Sequence, residues 1–519
     1  MAWIVLGEKN GRVSLVSKSN ISGILPKGSY LTVEDPDNNC KFILRVDDSN
    51  QHEPYKPNPL IVDMDLSPLI HDQKCFNIIE AVRVKDISDR ADGLIDYIRP
   101  QLVARRSNQD EINLALGDIK KGPVVFLGTV HSTQNQLLID ENNDFITSFL
   151  PDDMFFHQIM ICGKTGSGKT VAMKYFSQYF TEEYEGAVLA INVKESDFLK
   201  MYEPSITNNE KIKNEWKMLG LRSQSMDNFM VYYPSNSDIR VTKGINPDYC
   251  KSITLDVKTI DPDSLVGLLQ NISDIGAQNL PDIFRYWQQI KIDSRNNFTF
   301  NDFVEYFYNG INDSCEFSAM NIRGDKLSVH LHRGTFDSIH RSLAASTIFF
   351  DSNNSITLNE DDILQPGKMS VIDVAVDKGA QFGSILLRHL LHRISLSKAN
   401  HKSTVPILII IDEVHQFYDT KASNEALGDL DTICRTGRSQ KMGVIFASQN
   451  PEDMPGGISS VVNSKIFFKT DASLAKHHGI NISQIEMENL KKGYAAVSIH
   501  EVPQLKIIKF PLSCAGVFE

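Results

Sequence analysis

The chain has 519 residues, 41% of them hydrophobic, with 53 basic against 65 acidic side chains and a formal net charge of −12. This length supports a large core and two or three domains, while no apolar run comes near the ~18 residues of a membrane span, so no membrane-spanning helix is expected. The seven cysteines are scattered singly with no Cys-x-x-Cys pair and the start Met1-Ala2-Trp3-Ile4-Val5-Leu6-Gly7 lacks a basic leader, so neither a disulfide scaffold nor a zinc site is expected and the cytoplasm is the expected location.

In chain order, residues 1–145 read as short strands at 3–6, 12–16, 30–33, 41–46, 76–84 and 124–130, separated by turns such as Asp35-Pro36-Asp37-Asn38-Asn39. This predicts a small β-barrel with one or two inserted helices, joined to the remainder near Asp140-Glu141-Asn142-Asn143-Asp144. The apolar run 155–162 then leads into Gly163-Lys164-Thr165-Gly166-Ser167-Gly168-Lys169-Thr170, which fits the phosphate-binding pattern G-x-x-x-x-G-K-[ST]. The glycines permit a tight turn whose N–H groups face phosphates, Lys169 reaches the β- and γ-oxygens, and the Thr170 hydroxyl is placed to ligate Mg²⁺. A helix is predicted over 171–180, where Ala172, Phe176 and Phe180 recur every four residues.

A buried strand is expected at 187–193, followed from about 198 to 365 by a largely helical insertion that includes 265–272, 283–292 and 303–307. Strands resume at 369–376 and again at Ile407-Leu408-Ile409-Ile410-Ile411-Asp412-Glu413, a continuous apolar run ending in two carboxylates. Asp412 is placed to hold Mg²⁺ through its water shell and Glu413 to orient or deprotonate a water. The next strand, 444–448, ends at Gln449, which can sense a γ-phosphate by hydrogen bonding. Alternating strands and helices predict a doubly wound α/β sheet, parallel and centred on a site for ATP and Mg²⁺.

The order of these parts, with Asp412-Glu413-Val414-His415, Thr436-Gly437-Arg438 and Ala447-Ser448-Gln449-Asn450-Pro451 in series, resembles the HerA family of DNA-translocating ATPases within the wider HerA/FtsK group. Leu364-Gln365-Pro366-Gly367-Lys368 before the third strand and Lys492-Gly493-Tyr494-Ala495-Ala496-Val497-Ser498 near the end extend the likeness over nearly the whole chain. The resemblance implies a RecA-like P-loop ATPase core over 146–519, with closing strands at about 490–519, behind an N-terminal HAS-type barrel that assists ring assembly. It further implies a homohexamer on DNA, a nuclease partner such as NurA or another effector, anti-phage systems included, and an arginine reaching the neighbouring subunit's nucleotide. Arg438 is the choice for that arginine and Arg435 the alternative. His415 matches the family pattern, whereas Asn192 stands near where the family often has an acidic residue, leaving Glu195 or Asp197 to supply one. For duplex DNA, bound without sequence reading, the basic stretch Arg323, Lys326, His330, His332, Arg333, His340 and Arg341 is the candidate surface. A coupling or packaging ATPase and an ATP-stabilised scaffold that regulates an effector are the alternatives, because each needs the same nucleotide site.

Overall fold

The structure, a computed structural model, describes residues 3–18, 25–52, 76–88, 96–116, 124–194, 197–268, 274–295, 297–376, 378–418, 427–500 and 502–518. It comprises two compact units, residues 1–152 with 466–510 and residues 153–465 with 511–519.

In the first unit the strands β1 (Trp3–Lys9), β2 (Arg12–Lys18), β3 (Tyr30–Asp35), β4 (Cys40–His52), β5 (Phe76–Ser88) and β6 (Val103–Arg106) close a barrel in the order β1-β2-β5-β4-β3-β6. Alternate residues point inward, and Trp3, Val5, Val13, Leu15, Leu31, Val33, Phe42 and Leu44 fill it. The sequence gives little sign of β6, four residues long with two arginines, yet it seals the barrel by pairing Ile4 with Val103 and Leu31 with Arg106. The strand expected at 124–130 lies outside the barrel: β7 (Val124–His131) pairs with β8 (Thr147–Pro151) and with the strand Val502–Lys509, itself paired with Tyr494–Ile499. The polar segment 140–144 is a turn in this unit, its Asp140 carboxylate accepting the N–H groups of Asn142 and Asp144.

The second unit is built on a parallel sheet. Its strands are β9 (Ile159–Cys162), β10 (Ala187–Asn192), β11 (Phe229–Pro234), β12 (Cys250–Thr254), the short β15 (Ile356–Thr357), β16 (Met369–Asp373), β17 (Ile407–Asp412) and β18 (Met442–Ser448), and the order is β15-β12-β11-β16-β10-β17-β18-β9. β9, β10, β16, β17 and β18 are buried along their whole length, as their unbroken apolar runs require of strands covered on both faces. Gly443 in β18 has no room for a side chain, since a Cβ there would stand 2.1 Å from the Phe155 carbonyl oxygen. The helices Lys169–Glu182 and Gly379–Ala399 follow β9 and β16.

The insertion carries the helices Glu210–Met218, Asp274–Asp293, Phe300–Asn309 and Arg333–Ser346, but it also contributes β11, β12 and β15 to the sheet. Of the helix expected at 265–272, Pro262–Leu268 forms a 3₁₀ turn and the remainder lies outside the described residues. A two-stranded hairpin, β13 (Glu316–Met320) and β14 (Lys326–His330), completes the insertion. The C-terminal residues 511–518 belong to this unit and are fastened by the Lys174 ammonium on the Gly516 carbonyl (2.6 Å) and the Trp216 indole on the Leu512 carbonyl (3.0 Å). Among the described residues no helix is long and apolar enough to cross a membrane.

Candidate functional site

Parallel pairing brings the carboxyl ends of five strands to one edge. Cys162 is opposite Ser448, Ala447 opposite Asp412, Ile191 opposite Ile411 and Asn192 opposite Asp373. The loops leaving these strands therefore emerge together, and in open α/β sheets this is where ligands bind.

The phosphate loop leaves β9 at Gly163, whose N–H bonds the Ser448 carbonyl (3.3 Å), and closes into its helix at Lys169. Gly166 and Gly168 have φ of 76° and 120°, a backbone that side chains disfavour, which accounts for glycine at both positions. No side chain caps the helix, so its first N–H groups are available to an anion. The Lys169 ammonium is buried and rests on the carbonyls of Gly163 and Lys164. Burial, together with the nearby Lys194 charge, lowers its pKa, and an anion at this point would favour the charged form.

Because β18 lies between β17 and β9, Gln449 falls between the loop and the carboxylates. Its amide N–H₂ donates to Glu413 Oε1 (2.9 Å) and its oxygen accepts the Thr165 hydroxyl (3.0 Å). Asp412 and Glu413 are 1% and 3% exposed. Asp412 Oδ1 accepts the Glu413 N–H (3.0 Å), and Lys194 Nζ lies 3.0 Å from Asp412 Oδ2 and 3.2 Å from Glu413 Oε1. Burial raises the Asp412 pKa, opposed by Lys194. Glu413, although burial acts to raise it too, is held below the usual carboxylate range by the Gln449 amide and then by Lys194 and Lys169. Glu413 has a left-handed φ of 50°, and its Oε2 is buried with no hydrogen-bond partner among the described residues. Ser167 Oγ in the loop is orphaned in the same way. Buried polar atoms without partners are costly, and these two fit a site shaped to receive water and phosphate oxygens.

On the metal side the Thr170 hydroxyl meets Asp197 Oδ2 at 3.3 Å. Of the two acids considered in place of Asn192, Asp197 is thus beside the loop, while Glu195 lies outside the described residues. Asn192 itself is fully buried: its amide donates to Asp373 Oδ1 (2.8 Å) and the Lys194 carbonyl (2.6 Å), and its oxygen accepts the Phe198 N–H (3.2 Å). It ties Lys194 and Phe198 to the end of β10. Among the described residues no three His, Cys, Asp or Glu side chains are grouped to hold a metal ion directly, so Thr170 and Asp412 could serve Mg²⁺ only with water completing its shell.

His415 stands 3.9 Å from Glu413 Oε2 and 3.7 Å from Asp453 Oδ2, partly exposed. Arg438 is 57% exposed and pairs with Asp153 (3.2 Å), whereas Arg435 pairs with Asp431 (2.9 Å) one helical turn back. Neither contacts the phosphate loop. The basic stretch is dispersed: Arg323 and Lys326 occupy the exposed hairpin, His332 caps the helix Arg333–Ser346, and Arg333 and Arg341 are engaged with the Asp337 carboxylate and carbonyl. Sequence reasoning missed Lys194. Nothing in its own stretch of chain marks it, since the Asp412 it faces lies 218 positions away on the neighbouring strand.

Residues 138–394 match the family model described as the central domain of helicase HerA. Over this central stretch the chain is similar to the HerA family. Among curated proteins, a 170-residue stretch is 25% identical to the DNA double-strand break repair helicase HerA of Saccharolobus solfataricus, covering 31% of this chain and 34% of that protein. A 147-residue stretch is 25% identical to the HerA of Sulfurisphaera tokodaii, covering 27% and 29%. The alignments thus span about a third of the length of these HerA proteins. Similar solved structures include VirB4 of Thermoanaerobacter pseudethanolicus, at 13% identity and TM-score 0.45 over 76% of this chain and 97% of that one. The plasmid coupling protein TrwB with a non-hydrolysable GTP analogue is 11% identical, with TM-score 0.46 over 78% and 100%.

Proposed function

We propose that the chain is the subunit of a homohexameric, Mg²⁺-dependent ATPase that translocates along duplex DNA. The observation that carries this reading is the connected array Thr165, Gln449, Glu413, Lys194 and Asp412, set beside the phosphate loop at one sheet edge. In it, the loop 163–170 and Lys169 hold the β- and γ-phosphates, and Thr170 and Asp412 hold Mg²⁺. A Mg²⁺ held there would supply charge neutralisation for the phosphates. Glu413 orients the attacking water and takes its proton, its orphan Oε2 being the free acceptor. Gln449, already hydrogen-bonded to both loop and carboxylate, reports the γ-phosphate to Glu413.

Arg438 serves the neighbouring subunit's nucleotide, with Arg435 the alternative. Its exposure favours it, and Arg435 is the more firmly engaged on its own helix. DNA contact is assigned first to Arg323 and Lys326, which the hairpin presents to solvent. Action on DNA ends with a NurA-like nuclease or other effector, anti-phage systems included, belongs to the same proposal and is supported by the repair-helicase names of the relatives.

The test is ATP hydrolysis with and without linear duplex DNA, for the wild type, Lys169→Ala and Arg438→Ala, with mass measured in the same buffer. A hexameric mass and a DNA-stimulated rate lost in both variants are expected. Nucleotide-dependent assembly with no response to DNA would overturn the translocase and favour a scaffold for an effector.

A further inference from the structure

Two adjacent carboxylates buried at the end of β17 require a counter-charge, since neither can stay ionised alone in so little water. Lys169, the lysine of the phosphate loop, has its ammonium on backbone carbonyls. Lys194 does the neutralising: its Nζ bridges Asp412 Oδ2 and Glu413 Oε1. With Asp412 Oδ1 taken by the Glu413 N–H, both oxygens of the metal-side carboxylate are occupied. An ammonium 3.0 Å from Oδ2 and a divalent cation served by that same oxygen repel one another. The backbone around Lys194 is fixed by Asn192, which holds the Lys194 carbonyl and the Phe198 N–H, but the Lys194 side chain is 34% exposed and has solvent into which to swing. Asp197 stands against Thr170.

We propose that Lys194 is a positioning residue that serves as counter-ion to Asp412 and Glu413 when no metal–nucleotide is bound, and that it yields Asp412 to the metal when one is. Metal entry and the release of Glu413 Oε1 from the ammonium are then one event, which leaves that oxygen to the Gln449 amide at a loaded site. This rests on the reading of Asp412 as the metal-side acid.

The test is Mn²⁺ binding to the nucleotide-free full chain, followed by electron paramagnetic resonance, for the wild type, Lys194→Met, Lys194→Arg and Lys194→Met combined with Asp412→Asn. Removing the competing cation should tighten Mn²⁺ binding by about tenfold or more, arginine should restore the weak wild-type affinity, and the double variant should lose the gain. Equal affinity for wild type and Lys194→Met, or Lys194→Arg binding as tightly as Lys194→Met, overturns the proposal. If the methionine variant fails to fold by circular dichroism, Lys194→Gln takes its place with the same criteria. Binding of a fluorescent ATP analogue by wild type and Lys169→Ala is measured alongside. No Lys169-dependent binding would overturn the nucleotide site, whereas the Mn²⁺ comparison is made without nucleotide and reports on Lys194 alone.

Discussion

Glu413 combines three features seldom found in one carboxylate: a left-handed backbone, near-complete burial and one oxygen without a partner. Its Oε1 accepts the Gln449 amide and pairs with Lys194, and its single backbone N–H is shared between Asp412 Oδ1 and the Ala447 carbonyl. The Gln449 amide and the backbone hold the side chain with Oε2 open even without Lys194, the condition for a base aimed at a single water. Glu413→Gln keeps the shape and the Gln449 contact while removing the base. It should leave ATP affinity within a few-fold of wild type and lower turnover by about 10²- to 10⁴-fold; comparing equilibrium nucleotide binding with single-turnover hydrolysis separates the two, and unchanged turnover would remove Glu413 from the role. At this scale the sequence was informative wherever a residue type and its spacing carry chemistry of their own, as in the phosphate loop and the acids ending an apolar run. Lys194 was not legible, because its meaning comes from the strand beside it, and parallel neighbours 218 positions apart in the chain leave no local mark.

The same division holds for elements. β9, β10, β16, β17 and β18 are buried on both faces, so their apolar runs announce them. β6 is short and charged, and β12 is buried only at its two ends, so neither shows a run or a clean alternation. β7 has the pattern of a barrel strand but pairs with strands at the other end of the sequence, which no local reading can find. Next to β6 the barrel has a charged lock. Glu111, 3% exposed on the helix Gln109–Leu116, accepts Arg105 (2.7 and 3.0 Å), the Thr32 hydroxyl (2.7 Å) and the Asn108 N–H (2.9 Å), and it pairs with Lys41. Burial acts to raise its pKa, but Arg105 and Lys41 outweigh it and bring the value down from 4.5 to about 2. A carboxyl depressed in the folded state contributes stability that is fully present above its unfolded value and lost as pH falls through the folded one. The contribution of Glu111 should therefore vanish between about pH 4.5 and 2. Glu111→Gln should cost about 1.5–3 kcal/mol near neutral pH and flatten this acid limb, as read from denaturant unfolding at a series of pH values. An acid limb of unchanged steepness would show that other carboxylates set it.

For the whole molecule, the question is whether the site is complete in one subunit. Lys169, Asp412, Glu413 and Gln449 come from one sheet edge of one chain, but Arg438 is bound to Asp153 in that chain and is largely exposed. An exposed pair of this kind contributes little stability, so leaving Asp153 for a phosphate on a neighbour costs little. A finger arginine supplied by another subunit is worth about 10³- to 10⁵-fold in rate, because it meets charge that develops on the transferring group. The arrangement predicts complementation. Arg438→Ala retains a complete phosphate loop without the arginine, Lys169→Ala retains the arginine beside a dead loop, and each alone should be inactive. Mixed and reassembled, a ring with two-sided interfaces places an intact loop against an intact arginine at about one interface in four, so activity should reappear at roughly that fraction of wild type. The measurement is steady-state hydrolysis on duplex DNA across a series of mixing ratios, with subunit exchange followed by mass. If the mixtures stay inactive although exchange is complete, Arg438 acts within its own subunit or not at all; Arg435→Ala in the same design then decides whether the neighbouring arginine is the one delivered across the interface.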